Sequence, residues 1–225
     1  MKTLKKPALI MALITFTIID AKAQQETYRF EYIYKMQIET PRGRTSTLDY
    51  YLPANGDYFA VKNNGILQVF DNNLNKMYSY MGFDSDDADR KTLMAMKFDF
   101  KELLKLANDE EDPRIYKSVG YASILGHDCE LYRMTSDTMT SEVWVAKGLI
   151  EGSFGENAGH PVVYYMLSRS SNVGDDSLEP VYSGLPLKIV TKKKRGSREK
   201  ITTMTCIKFD RSSLTVNTNE YRRLF

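Results

Sequence analysis

The amino-acid sequence predicts a mainly β protein, built as one antiparallel sheet with two short helices. Apolar and polar residues alternate from Tyr28 to Glu39, broken only by Ile33, and this period of two is typical of a half-buried strand. Similar extended runs recur along the chain between steps rich in Gly, Asn, Asp and Pro, which favour tight turns. Only two segments show the spacing of a helix. Most of the chain is therefore expected to lie in strands.

Residues 1–23 have the layout of an export signal. A lysine-rich start is followed by an apolar run from Ala8 to Ile19 and by the small-residue site Ala21-Lys22-Ala23. The apolar run is shorter than the roughly 20 residues that span a bilayer. We expect cleavage after Ala23, which leaves residues 24–225 as a single β-rich domain in the periplasm or outside the cell. No transmembrane segment is expected after cleavage.

The charge of the mature chain argues against nucleic-acid binding. The whole sequence has a formal net charge of +2, and residues 1–23 hold four lysines and one aspartate, a net charge of +3. The remaining chain therefore carries a net charge of −1. A nucleic-acid-binding domain would keep a basic excess after processing.

The first third of the chain predicts an antiparallel meander. The step Pro41-Arg42-Gly43 predicts a turn, and Asn64-Gly65 favours a primed turn between two short strands. The predicted strands are 28–38, 45–52, 58–61, 66–70 and 76–81.

Two short helices are expected to lie on this sheet. Asp99 and Glu102 form a capping box at the start of the first helix. Its apolar stripe consists of Phe100, Leu103, Leu104 and Ala107. Pro161 is well placed in the first turn of the second helix, which continues to Leu167.

A central hairpin is predicted from two runs rich in β-branched and aromatic residues, 119–134 and 141–146, around Asp137-Thr138. Gly126 interrupts the first run, where a bulge or a close backbone approach is expected.

A last hairpin is predicted from the runs 184–190 and 201–209. The segment between them, Lys192 to Arg198, is strongly basic and is read first as a solvated hairpin tip. Contact with anionic lipid or polysaccharide is the alternative.

Catalytic residues are not indicated by the sequence. His127 and His160 lie 33 positions apart, and neither belongs to a metal-binding motif. His127 and Cys129 point to one face of a strand, an arrangement that is usually structural. The acidic segment 84–89 lacks the Gly and the distal Glu of a calcium loop. We therefore expect no enzyme activity, metal site or cofactor.

The two cysteines, Cys129 and Cys206, leave two interpretations open. They form one disulfide in an oxidising compartment, or they are two small buried side chains in strands.

The candidate ligand-binding residues are aromatic or long apolar side chains. One face of the first strand carries Tyr28, Phe30, Tyr32, Tyr34 and Met36. This stripe is either ordinary core or the lining of a cavity of about 300–1,000 Å³. Trp144 is a binding platform or, more often for the only Trp in a Val-Trp-Val strand, a core residue.

Three runs resemble a known family. They are 126–132 (Gly-His-Asp-Cys-Glu-Leu-Tyr), 142–146 (Glu-Val-Trp-Val-Ala) and 184–188 (Gly-Leu-Pro-Leu-Lys). In this order they resemble exported bacterial proteins of domain-of-unknown-function family 4412, over residues 26–222. That family is similar to the LolA-like lipoprotein-carrier fold. The resemblance implies a strongly curved antiparallel sheet, or half-barrel, with short helices on its concave face. The tail, 212–225, departs from the family's pattern.

The leading functional hypothesis is an exported, non-catalytic protein that binds an apolar ligand, a lipid or a lipidated peptide. The alternative is an interaction or structural protein of the cell envelope, with a core filled by its own side chains and an envelope protein as partner.

Overall fold

A computed structural model describes residues 27–54, 58–98, 117–150, 162, 163, 166, 184–195 and 198–224. These residues form twelve strands. The strands are β1 (Thr27–Glu39), β2 (Thr45–Leu52), β3 (Tyr58–Asn63), β4 (Ile66–Asp71), β5 (Lys76–Met81), β6 (Thr92–Lys97), β7 (Lys117–Ile124), β8 (His127–Thr135), β9 (Met139–Lys147), β10 (Gly184–Arg195), β11 (Arg198–Asn217) and β12 (Arg222–Arg223).

All twelve strands belong to one sheet, in the order β12-β6-β5-β4-β3-β2-β1-β11-β10-β9-β8-β7. The predicted mainly β fold and its single sheet are confirmed. One pair departs from the all-antiparallel prediction, because β12 runs parallel to β6. The chain leaves the middle of the sheet at the end of β11, passes a single 3-10 turn at Thr218–Glu220, and reaches the far edge.

The centre of the sheet is β1, between β11 and β2. Its even-numbered side chains from Tyr28 to Met36 are buried, while Ile33 and the charged side chains between them are exposed or half-buried. Alternation in the sequence thus matches alternation between the two faces of the strand. Both register shifts against β11 place an additional residue on β11, one near Ile207 and one between Arg211 and Leu214. Bulges of this kind bend the bulged strand and increase its twist.

Two hydrophobic clusters hold the sheet together. The larger cluster contains Tyr32, Tyr34 and Met36 together with apolar residues from β2 and from β8 to β11. The smaller cluster contains Tyr28 and Phe30 together with alternate residues of β3 to β6, Val216 and Tyr221. In β3, Phe59 and Val61 belong to the larger cluster, whereas Tyr58 and Ala60 belong to the smaller one. Both faces of β3 are therefore buried, which explains its continuous apolar sequence.

Two tight turns differ in how clearly the sequence predicts them. Asn64 (φ 49°) and Gly65 (φ 75°) join β3 to β4 with positive φ at both central residues, as the Asn-Gly step predicts. The bulge or close backbone approach predicted at Gly126 is wrong, because a Cβ at Gly126 would meet no described atom within 4 Å. Leu125 (φ 52°) and Gly126 (φ 78°) are instead the two turn residues between β7 and β8. Positive φ is uncommon for leucine, so the sequence does not signal this turn.

The predicted helices fall mostly outside the described residues. The helix that begins at Asp99 lies wholly outside them. Of the second helix, Val162, Val163 and Met166 are described; all three are helical and buried in the larger cluster. The described part of the chain contains no complete α-helix, so helices on a concave face are not confirmed. The export signal also lies outside the described residues. No helix within the described ranges is long and apolar enough to cross a membrane.

Candidate functional site

A cavity of about 860 Å³ opens at the end of the sheet where the β1–β2 and β10–β11 hairpins lie. This volume lies within the range of about 300–1,000 Å³ that is typical of small-molecule sites. Its apolar floor consists of Ile38, Leu48, Tyr50, Met166, Ile189 and Met204. These side chains come from β1, β2, β10, β11 and the helical residue Met166. The floor is therefore assembled from segments that are distant in sequence.

Strand register places the floor on one face of the sheet, here called the cavity face. Ile38 lies opposite Met204, and Met204 lies opposite Ile189. Because residues at even spacing share a face, Ile38 continues the buried row that runs from Tyr32 to Met36. The cavity is thus the open end of the larger hydrophobic cluster.

The rim of the cavity is cationic. Arg42, Arg44, Lys193 and Lys200 contribute to its lining, and all four are exposed. Among the described residues that line the cavity, none is Asp, Glu, His or Cys. The polar remainder consists of neutral hydroxyl, amide and backbone groups. The site can therefore hold an apolar group on its floor and attract negative charge at its mouth.

The turn between β1 and β2 holds the two arginines in place. The Thr40 backbone N–H donates to the Arg44 carbonyl at 2.9 Å, and the Gly43 N–H donates to the Thr40 carbonyl at 2.9 Å. The Thr40 hydroxyl adds a bond to the Arg44 carbonyl at 3.2 Å. Gly43 has φ +69°, a left-handed conformation that glycine adopts without strain. These bonds order the backbone that carries Arg42 and Arg44.

The sequence-predicted stripe on β1 does not line this cavity. Tyr28, Phe30, Tyr32, Tyr34 and Met36 are buried in the two clusters. Their hydroxyl and ring contacts are internal: the Tyr34 hydroxyl donates to the Pro186 carbonyl, and Tyr32 stacks on Phe209 at 5.5 Å between ring centroids. A role of these five residues as ligand contacts stays a prediction.

Tyr28 belongs to a polar contact inside the smaller cluster. Its hydroxyl donates to the buried Asp71 carboxylate at 2.9 Å, and the Leu74 N–H donates to the second oxygen at 3.0 Å. Burial and the Asp71 charge raise the pKa of Tyr28 well above its ordinary value.

Trp144 lies on the face opposite the cavity. It pairs with Lys188, and the Lys188 ammonium lies 5.1 Å from the ring centroid. The ring is half-buried. Trp144 packs against the larger cluster but does not line the cavity, and its role as a binding platform stays a prediction.

Cys129 and Cys206 are both buried free thiols in the structure. Each thiol contacts a backbone carbonyl, that of His127 at 3.5 Å and that of Lys208 at 3.3 Å. Burial raises the pKa of both thiols, to about 11 for Cys206. Thiols with raised pKa values are poor nucleophiles at neutral pH.

Titratable groups elsewhere form surface ion pairs. Glu130 accepts from Tyr132 at 2.6 Å and from the Lys147 ammonium at 2.9 Å. Hydrogen bonds from Ser118, Tyr132 and Lys147 lower the pKa of Glu130 to about 2. A carboxylate with so low a pKa is a weak general base. The described residues include no group of three or more His, Cys, Asp or Glu side chains that could hold a metal ion.

The sequence indicates only part of the cationic rim. The sequence indicates the basic run from Lys192 to Arg198, but strand register selects Lys193 from that run and adds Lys200 from the partner strand. Arg42 and Arg44 lie in a segment for which the sequence predicts only a turn. The sequence signal that could have identified these two arginines is a Pro-Arg-Gly-Arg turn together with a basic hairpin tip.

Residues 30–216 match the sequence profile of the family described as Domain of unknown function (DUF4412). Comparison with curated protein sequences gave no significant match.

Solved structures show only distant likeness. PNGF-II is 12% identical over 86% of this chain with a TM-score of 0.42, and the chain spans 31% of its length. In the MucA/MucB complex of Pseudomonas aeruginosa, the matched chain is 12% identical over 90% of this chain and 58% of its own length (TM-score 0.41). The LolA superfamily protein NE2245 from Nitrosomonas europaea is 9% identical over 87% of this chain and 90% of its own length (TM-score 0.27). These similarities are too weak to assign a ligand or a partner of those proteins to this chain.

Proposed function

We propose that this chain, which belongs to the DUF4412 family, has a non-catalytic role and binds an apolar ligand outside the cytoplasm. The single observation that carries this proposal is the cavity of about 860 Å³ with its apolar floor. Burying apolar ligand surface there contributes roughly 25 cal/mol for each Å² removed from water. The export signal read in residues 1–23 supports an extracytoplasmic location.

The composition of the cavity supports binding rather than catalysis. The described lining residues offer no carboxylate, imidazole or thiol to transfer a proton or attack a substrate. The lining lysine and hydroxyl side chains would need such a group beside them, as a general base, to act as nucleophiles at neutral pH. The lining does offer the apolar surface and sparse polar groups that are typical of a binding site.

Filling the cavity tests the proposal. Ile38 is half-buried on the floor, so Ile38→Trp should occupy part of the space and weaken binding at least about tenfold. The neutral dye N-phenyl-1-naphthylamine, which fluoresces in apolar surroundings, is titrated into the mature protein. The matched control is Ile207→Trp, because Ile207 is 43% exposed on β11 and does not line the cavity.

Equal dye binding by the wild type, Ile38→Trp and Ile207→Trp would show that the dye binds elsewhere. Absence of dye uptake by the wild type would contradict the proposed function. Circular dichroism of each variant checks that the sheet is retained.

The exposed edge of the sheet favours a second function, interaction with an envelope protein. In β7, at that edge, Val119 is 47% exposed and Tyr121 is 81% exposed. An edge strand with exposed apolar side chains can pair with an added strand. This function is preferred if the wild type takes up no dye.

A further inference from the structure

We infer that the ligand of the cavity is an acyl lipid with an anionic phosphate head group, which is held by the cationic rim while its chain lies on the floor. This inference rests on the proposed function and specifies its ligand. It is carried by the arrangement of charge across the two faces of the sheet.

Near the cavity, the cavity face carries positive charge without described carboxylates, whereas the opposite face carries charges of both signs. Lys193 and Lys200 lie on that face because their neighbours two residues away, Thr191 and Thr202, also line the cavity. The carboxylates of β1, β2 and β11 near the cavity point to the opposite face of the sheet. They belong to Glu39, Asp49 and Glu199, and Asp49 pairs with Lys35 at 3.2 Å on that face. The rim therefore has no described carboxylate beside it.

Lys193 and Lys200 are directly opposite each other in the β10–β11 ladder. Like charges in directly opposed positions destabilise a pair of strands. Neither lysine forms an ion pair with a described residue. An anion bound between the two ammonium groups would remove this repulsion, so the pair is arranged for a negatively charged ligand.

The chemistry of the rim favours phosphate. Arg42 and Arg44, on the hydrogen-bonded turn, supply planar guanidinium groups that bind phosphate oxygens through two parallel bonds. The two lysines add point charges from the second hairpin. A phosphate at the mouth would place an attached acyl chain against Ile38, Leu48 and Met204.

The test compares two lipids that share one acyl chain. Lysophosphatidylglycerol carries a net negative phosphate, whereas lysophosphatidylcholine is zwitterionic. Each is used below its critical micelle concentration to displace N-phenyl-1-naphthylamine from the mature protein. We expect lysophosphatidylglycerol to bind about tenfold more tightly, and we expect this preference to shrink as salt is raised.

Double lysine-to-glutamine substitutions test whether the cationic rim causes this preference. Lys193→Gln/Lys200→Gln should lower affinity for lysophosphatidylglycerol about tenfold, because each exposed ion pair contributes up to about a fivefold change. Affinity for lysophosphatidylcholine should stay within about twofold. The control is Lys192→Gln/Lys194→Gln, which removes the same charge from the opposite face of β10. Its affinities should not change.

A stability measurement separates this effect from misfolding. The ligand-free Lys193→Gln/Lys200→Gln variant should unfold at a higher urea concentration than the wild type, because a repulsive pair has been removed. Weaker binding together with a lower unfolding midpoint would overturn the inference.

Three further outcomes are decisive. Equal affinity for the two lipids would overturn the inference and leave the proposed function standing. Absence of binding by the dye and by both lipids would remove the proposed function, and the inference with it. Cosedimentation with phosphatidylglycerol vesicles, without a one-to-one lipid complex in native mass spectrometry, would show that the cations face a membrane surface, and would overturn the single-lipid site.

Discussion

Above about pH 10, the protein is expected to unfold cooperatively. Tyr28, Tyr34 and Tyr80 are fully buried, and burial raises the pKa of each. Tyrosines in the unfolded chain ionise near pH 10. As the pH rises past that value, the unfolded state loses protons that the folded state keeps, so the free energy of unfolding falls. The stability that depends on these protonated hydroxyls is complete below pH 10 and is lost above it.

The expected slope is steep. Each buried tyrosine lowers the free energy of unfolding by about 1.4 kcal/mol per pH unit, or about 4 kcal/mol per pH unit for three. A typical domain has only about 5–15 kcal/mol in total. Urea unfolding at a series of pH values from 8 to 11.5 measures the slope.

Two phenylalanine substitutions control this prediction. Tyr80 has no hydrogen-bond partner among the described residues, so Tyr80→Phe should flatten the alkaline slope and stabilise the protein by about 1–3 kcal/mol at neutral pH. Tyr121 is 81% exposed, so Tyr121→Phe should change neither quantity. An unfolding free energy that stays flat up to pH 11 would contradict the burial of the three hydroxyls.

Tyr34→Ala is expected to cost about 3–5 kcal/mol, the range for removing a large aromatic side chain from a core. Tyr34 is fully buried in the larger cluster, and its ring lies against Tyr50 at 5.6 Å between centroids. Its hydroxyl donates to the Pro186 carbonyl on β10, two strands away from β1. Pro186 lies beside a register shift between β9 and β10, where the regular ladder is interrupted.

The variant Tyr34→Phe separates packing from hydrogen bonding. It keeps the ring and leaves the Pro186 carbonyl without this donor, so it should cost about 1–3 kcal/mol. Urea unfolding measures both variants, and Tyr121→Ala, at an exposed position of β7, is the control with little expected effect. If Tyr34→Phe were as stable as the wild type, the bond between Tyr34 and Pro186 would contribute nothing.

The sequence predicted the fold best where local pattern and tertiary contacts agree. In β1, alternation alone identified the buried row from Tyr28 to Met36. The Asn64-Gly65 turn followed from residue types that tolerate positive φ. β11 was predicted to end at Phe209 but continues to Asn217. Its two bulges shift the alternation, so the strand loses its period-two pattern after Cys206 although its pairing with β1 continues.

The site could not be located in the same way. Alternation shows which face of β1 is buried, and that face includes both the packed residues and Ile38. It does not show where covering segments end and a cavity opens. That point depends on the register of β1 against β11 and of β11 against β10, which bring Ile38, Met204 and Ile189 together. Such long-range register is set by the whole sheet and not by any one segment.

Native mass spectrometry of the protein tests most directly whether the cavity holds one phosphate-bearing lipid. The protein is recovered from its native cells without detergent, and the bound species is released and fragmented. We expect one anionic phospholipid per chain, which is lost from the Lys193→Gln/Lys200→Gln variant and kept by Lys192→Gln/Lys194→Gln. A wild-type protein that carries only a zwitterionic lipid, or that is recovered empty and takes up no lysophosphatidylglycerol, would contradict this expectation.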